Sequence, residues 1–156
     1  MPALLLLIVP TLLLALAAPM TGASDDQARL ILGNWLTEPR DGIIQISMAG
    51  DGSYQDKIVG GNDPQRQDQH SPEPARRSQL LLGQTIVQGM KYDGDGKWSG
   101  GSIYDPDSGR SYKCRLELLE PDRLQVRGFI GFALLGRSQV WTRYQASSMT
   151  LPAAVQ

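Results

Sequence analysis

The chain has 156 residues, 41% apolar and 20% charged, with 17 glycines, 10 prolines and a formal net charge of -1. That length suits a single domain able to bury a core without covalent staples. A net charge near zero argues against nucleic acid or an anionic membrane surface as the main partner.

The first feature is an apolar run over residues 3–18, interrupted by Pro10. It falls short of the roughly 20 apolar residues that a membrane-spanning helix needs. Its N-terminal position and the small residues after it fit a cleaved signal peptide, although no Lys or Arg precedes the run. Cleavage fits after Ala23 or near Ala17 and Ala18. The reading takes residues 1–23 as signal peptide, 24–145 as the folded domain and 146–156 as a flexible tail. Export to the periplasm or beyond follows, with no membrane span after processing. Cys114 is the single cysteine, so an exported chain forms no internal disulfide.

After a short polar lead, strands alternate with turn chemistry. Residues 33–37 open the domain, and 43–48 place Ile44, Ile46 and Met48 on one face. Ala49-Gly50-Asp51-Gly52-Ser53 reads as a hairpin turn returning into 54–59, because Asp-Gly accepts positive φ. Residues 86–92 meet 97–104 across Asp93-Gly94-Asp95-Gly96. Residues 105–109 turn into 111–118, where Tyr112, Cys114, Leu116 and Leu118 share one face. Glu120-Pro121-Asp122 turns into 123–130, and 137–144 form the last strand. About eight strands joined mostly by short turns predict an all-β domain, a single antiparallel up-and-down barrel. Gly60-Gly61 and Gly100-Gly101 sit inside strands, where glycine marks the bends a small barrel needs.

Residues 61–79 break the pattern. They carry prolines and glutamines with almost no apolar side chain, so little burial is expected. One helical turn starting at Ser71 or Glu73-Pro74 is the only regular structure expected there. Residues 62–78 are placed over the open end of the barrel, with Arg66, Arg76 and Arg77 ready for an anionic headgroup or an acidic partner; an exposed linker is the alternative.

Catalytic and metal readings find little support. His70 is the only histidine and lies in that polar segment without a partner to orient it. One His and one Cys cannot fill a zinc shell, and Asp93-Gly94-Asp95-Gly96 lacks the later ligands of a calcium loop. Asp105 and Asp107 flank Pro106 in a turn that also uses Gly109, which accounts for both carboxylates structurally. No catalytic residue, metal ligand or cofactor is expected. The candidate barrel interior is Ile44, Met48, Tyr54, Ile58, Tyr112, Cys114, Leu116, Val126 and Val140.

Gly33-Asn34-Trp35 near the start, with Arg143 closing the last strand, resembles the lipocalin and calycin signature. The resemblance implies that Trp35 packs against Arg143 and closes one end of the barrel. A wider pattern runs through Trp98, Gly100, Gly101, Asp105, Pro106 and Gly109 to Tyr112. It continues in Leu124-x-Val126-Arg127-Gly128 and Gln139-x-Trp141-x-Arg143. With Asn62-x-Pro64, it is similar to the bacterial exported domain-of-unknown-function family 2147, over residues 32–144. That resemblance implies a lipocalin-like barrel without an established activity. Many such relatives carry cysteines where this chain has residues 129–136, which contain none. The expected function is non-enzymatic binding of a small apolar or amphipathic molecule. The alternative is a cell-envelope protein-interaction module with a solid core, and a hydrolase ranks third.

Overall fold

The computed structural model describes residues 21–131 and 135–145; the expected signal run and the tail lie largely or wholly outside them. Among the described residues a short helix, α1 (Thr21–Ala28), precedes nine strands: β1 (Gly33–Leu36), β2 (Gly42–Met48), β3 (Tyr54–Gly61), β4 (Val87–Gln88), β5 (Lys91–Gly94), β6 (Lys97–Asp105), β7 (Arg110–Glu120), β8 (Arg123–Phe129) and β9 (Gly136–Arg143). All pairings are antiparallel, in the order β3-β2-β1-β9-β8-β7-β6-β4, with β5 also on β6. The stretch 86–92, expected as one strand, divides into β4 and the start of β5. Gly89, at φ 71°, breaks it, and both parts still pair with β6.

The sheet curls until β3 meets the β4–β5 segment. Tyr54 and Met90 exchange both backbone hydrogen bonds, at 2.8 and 3.1 Å. Further along, Ile58 N–H donates to the Gln84 carbonyl and Gly83 N–H to the Ile58 carbonyl. The result is a nearly closed barrel of about eight strands. Its tight curvature falls at the glycine pairs: the β6–β7 register shifts between Trp98 and Gly101, and the β2–β3 register shifts opposite Gly60. At Gly101 the wall also approaches its neighbour closely. A Cβ there would run into the Gln88 carbonyl oxygen and the Met90 sulfur, so only glycine fits.

The antiparallel register sorts the connections into two ends. Residues 29–32, the 49–53 turn and the turns at 95–96 and 121–122 share one end. The β1–β2 turn, residues 62–86, the β6–β7 turn and the β8–β9 turn share the other. Trp35, Ile44, Ile46, Tyr54, Met90, Trp98, Cys114, Leu116, Leu124, Val126 and Trp141 form the buried interior, with Ala28 and Ile31 entering from the α1 side. The short helix was not evident in the sequence; burial of Ala28 and Ile31 holds it in place.

Residues 62–86 are folded rather than a bare linker. Gln67 bridges Leu80, a 3-10 turn spans Pro74–Arg76, and Asp68, Ser71 and Leu81 are buried. Polar contacts substitute for the missing apolar ones. The Tyr104 hydroxyl donates to Asp68, and Arg66 pairs with Asp107 and Asp41 on the turns to either side. Gly109, at φ 66°, lies hard against the His70 carbonyl oxygen, leaving no space for a Cβ. Gly109→Ala is expected to lift the segment from the β6–β7 turn and to destabilise the fold by about 1–3 kcal/mol. Thermal melts and amide exchange across 66–81 check this, and unchanged exchange there would refute it.

Candidate functional site

Local alternation brings Trp35 inward on β1, directly opposite Arg143 on β9. The Arg143 Cζ sits 4.1 Å above the indole centroid, well within cation–π range. Its guanidinium also donates to the carbonyls of Leu30, Leu32 and Pro121, tying the 29–32 segment to the β7–β8 turn. Partial burial lowers its pKa, opposed by Asp122. Trp35 Nε1 donates to the Ile31 carbonyl at 2.8 Å. Gly33 lies beneath this arrangement, where a Cβ would stand 3.4 Å from Arg143 Nη1. The Tyr92 hydroxyl adds a bond to Gln27 of α1. This end is closed.

Above it the barrel is filled. Trp35, Trp98 and Trp141 are all fully or almost fully buried, and Tyr54 meets Trp98 edge-on at 6.2 Å. Trp141 takes the inward position opposite Leu124, so its neighbour Val140 belongs to the outer face. The expected inward Val140 is therefore corrected: the strand is one residue out of the assumed phase, because the larger indole claims the core. Met48 shares a face with Ile44 and Ile46 but lies at the rim, 41% exposed. Ile44, Tyr54, Cys114, Leu116 and Val126 are buried in the interior.

Ile58 and Tyr112 are only half-buried, as is Ile103. These three face inward toward the end that carries the long segment. Ile103 and Tyr112 lie over Gly128, where a Cβ would meet them at 3.3 and 3.6 Å. The Tyr112 hydroxyl is 3.3 Å from Ser108 Oγ. Gln139, on the same inner face, accepts from Trp141 Nε1 and is itself exposed. The open end thus presents an aliphatic and aromatic floor with hydroxyl and amide groups at its edge.

The polar segment frames one side of this opening. Its arginines do not wait for a ligand as expected. Arg66 holds the two flanking turns, Arg76 donates to Gln84 Oε1 and Arg77 to the Ser71 carbonyl. Trp98, Gly100 and Gly101 build the β6 bulge, while Asp105 accepts from Asp107 N–H and Ser108 Oγ in the turn around Pro106.

Asp56 is the residue that sequence reasoning missed. It is fully buried on β3 between Tyr54 and Ile58. Its Oδ1 accepts from the backbone N–H groups of Ile86 and Val87, each at 2.8 Å, bridging the seam where the β3–β4 ladder is interrupted. Its Oδ2 is buried without a partner. Burial pushes the carboxyl pKa up to about 7 against the pull of the Val87 and Ile86 bonds. A signal existed: with Tyr54 and Ile58 assigned inward, period-two alternation places Asp56 inward as well. Burial, reinforced by Asp56, pushes the Cys114 thiol up to about 12, so it stays protonated. Burial and the Asp68 bond likewise raise Tyr104 to about 12.

An up-and-down barrel with one end shut by a stacked Trp–Arg pair defines the lipocalin-like class. The chain belongs to a bacterial family described as "Uncharacterized protein conserved in bacteria (DUF2147)", whose model matches residues 33–143. Among solved structures it is similar to HP1028 of Helicobacter pylori, described as belonging to the lipocalin family. The TM-score is 0.65 at 16% identity, over 73% of this chain and 82% of that one. Comparison with curated proteins gives no match.

Proposed function

We propose that this protein is an exported, non-enzymatic binder of a small apolar or amphipathic molecule, held at the open end of the barrel. The observation carrying this reading is the contrast along the interior. Trp35, Trp98, Leu124 and Trp141 are fully or almost fully buried, whereas Ile58, Ile103 and Tyr112 remain partly solvent-accessible although they face inward. A ligand's apolar part would rest on these three and its polar part on Ser108, Tyr112 and Gln139. The filled lower half limits the occupant to a small molecule. The non-enzymatic part is supported by His70 lying exposed and Cys114 lying buried as a protonated thiol. Export rests on the apolar run before residue 19; α1 spans the cleavage position after Ala23, and N-terminal sequencing of the processed protein decides between the two sites.

Native mass spectrometry of freshly purified protein, with titration of a fluorescent acyl probe, tests binding. Ile103→Trp, which fills the opening, is expected to weaken the probe about tenfold or more while costing about 1–3 kcal/mol of stability. Equal affinity of variant and parent would refute the site. The three buried indoles favour the second reading, a solid-core interaction module of the envelope. A stable co-purifying protein together with an empty barrel would select it.

A further inference from the structure

The outer face of β7 and β8 carries a concentration of positive charge that the net charge of the chain conceals. Because Cys114 and Val126 point inward, Lys113, Arg115 and Arg127 point outward. Register places Arg115 directly opposite Arg127, a like-charge pairing that weakens a sheet. Arg127 reaches Ser138 Oγ at 2.9 Å, and the Arg115 guanidinium lies 5.5 Å from the Phe129 ring centroid. The nearest acid along this face of β7, Glu117, faces Lys97 at 3.9 Å. Residues 108–116 contain three cations and no acid, and residues 123–156 contain four arginines and no acid.

Two further observations meet on this face. A cleft of about 480 Å³ opens beside the β6 bulge, bordered by Ser99, Gly100, Lys113, Arg115, Phe129 and Gly131. It offers two cations and a hydroxyl around an aromatic wall, which suits a phosphate-bearing group. At the adjoining turn, Ile130 and Leu135 are 62% and 71% exposed, the two most exposed large apolar residues described. The Ile130 N–H bond to the Leu135 carbonyl holds them on the same projecting turn. No charged residue occurs in the sequence between Arg127 and Arg137.

Two apolar side chains on a turn cannot build the roughly 800 Å² per partner of a stable protein interface. They are sufficient to enter the headgroup–acyl boundary of a bilayer when cations beside them meet anionic lipid. We propose that this face docks on an anionic lipid bilayer, with a headgroup phosphate in the Lys113–Arg115 cleft and Ile130 and Leu135 entering the acyl boundary. This inference does not depend on ligand binding within the barrel. It also revises the expectation drawn from net charge, since a surface is read by the local charge within a Debye length.

Vesicle flotation tests it, using phosphatidylcholine alone and phosphatidylcholine mixed with phosphatidylglycerol, every variant carrying the same N-terminus. Binding is expected to the mixed vesicles only and to fall with added salt. Lys113→Gln with Arg115→Gln is expected to weaken it about twenty-five-fold, at roughly fivefold per cation. Ile130→Ser with Leu135→Ser is expected to weaken it about tenfold or more. Should the serine variant misfold, Leu135→Cys labelled with an environment-sensitive dye decides, since Cys114 is buried. Its emission is expected to shift to the blue on mixed vesicles. Indifference to phosphatidylglycerol, unchanged binding in the variants, or a label that does not respond would each overturn the proposal. So would capture of a protein partner that requires Ile130 and Leu135 while vesicles do not.

Discussion

Trp35→Ala is expected to destabilise the fold by about 3–5 kcal/mol, the range for truncating a fully buried indole. The loss exceeds the removed apolar area because Trp35 is where several connections converge. Without the ring, Arg143 loses the surface it stacks on at 4.1 Å, and the Ile31 carbonyl loses its indole donor. Arg143→Lys provides the discriminating companion. A lysine keeps the charge but cannot reach the carbonyls of Leu30, Leu32 and Pro121 together, so part of the loss is expected there too. Urea unfolding at neutral pH measures both. A Trp35→Ala midpoint equal to that of the parent would show that the closed end is not sealed by this pair.

Asp56 carries the second large effect, visible as a pH dependence. Its carboxyl titrates at about 7 in the folded protein, against 3.8 as the ordinary value. Between these values the folded state holds a proton that the unfolded chain has released. Stability from this group is therefore complete below about pH 4 and is lost as pH rises toward and through 7, levelling off above it. The difference amounts to about 4 kcal/mol across the window. Asp56→Asn keeps an oxygen for the Ile86 and Val87 N–H groups and removes the titration, so its profile is expected to be flat over this range. Asp56→Ala leaves two buried N–H groups without their acceptor, at about 1–3 kcal/mol each. Chemical unfolding from pH 4 to 8 for the parent and both variants decides. A parent curve identical in shape to that of Asp56→Asn would show that the buried carboxyl does not titrate in this window.

Much of the barrel is legible in the sequence, because period-two alternation and Asp-Gly turns are local. Residues 111–118 alternate cleanly, and the structure turns Cys114 and Leu116 inward as that pattern requires. The last strand misled for the same local reason. Val140 and Trp141 are both apolar, and only pairing with Leu124 decides which of them enters the core. Residues 61–79 were expected to bury little, because apolar content is a poor guide to burial by polar groups. Asp68 is buried through Tyr104, 36 positions away, and no window of sequence contains both.

The amino-acid sequence by itself determined the strand segments and the turns between them, since each depends on neighbours a few positions apart; the Trp35–Arg143 closure joins the first and last strands and was legible only through the family resemblance. Tertiary structure alone decided how the barrel meets itself. Asp56 seals a seam to Ile86 and Val87 across 30 and 31 positions. Arg115 and Arg127, by contrast, meet across the adjacent β7–β8 hairpin, and Ile130 and Leu135 share the local β8–β9 turn. Strand identity is written in local periodicity. Which distant strands meet, and therefore which buried groups seal the seam, depends on closure of the whole chain.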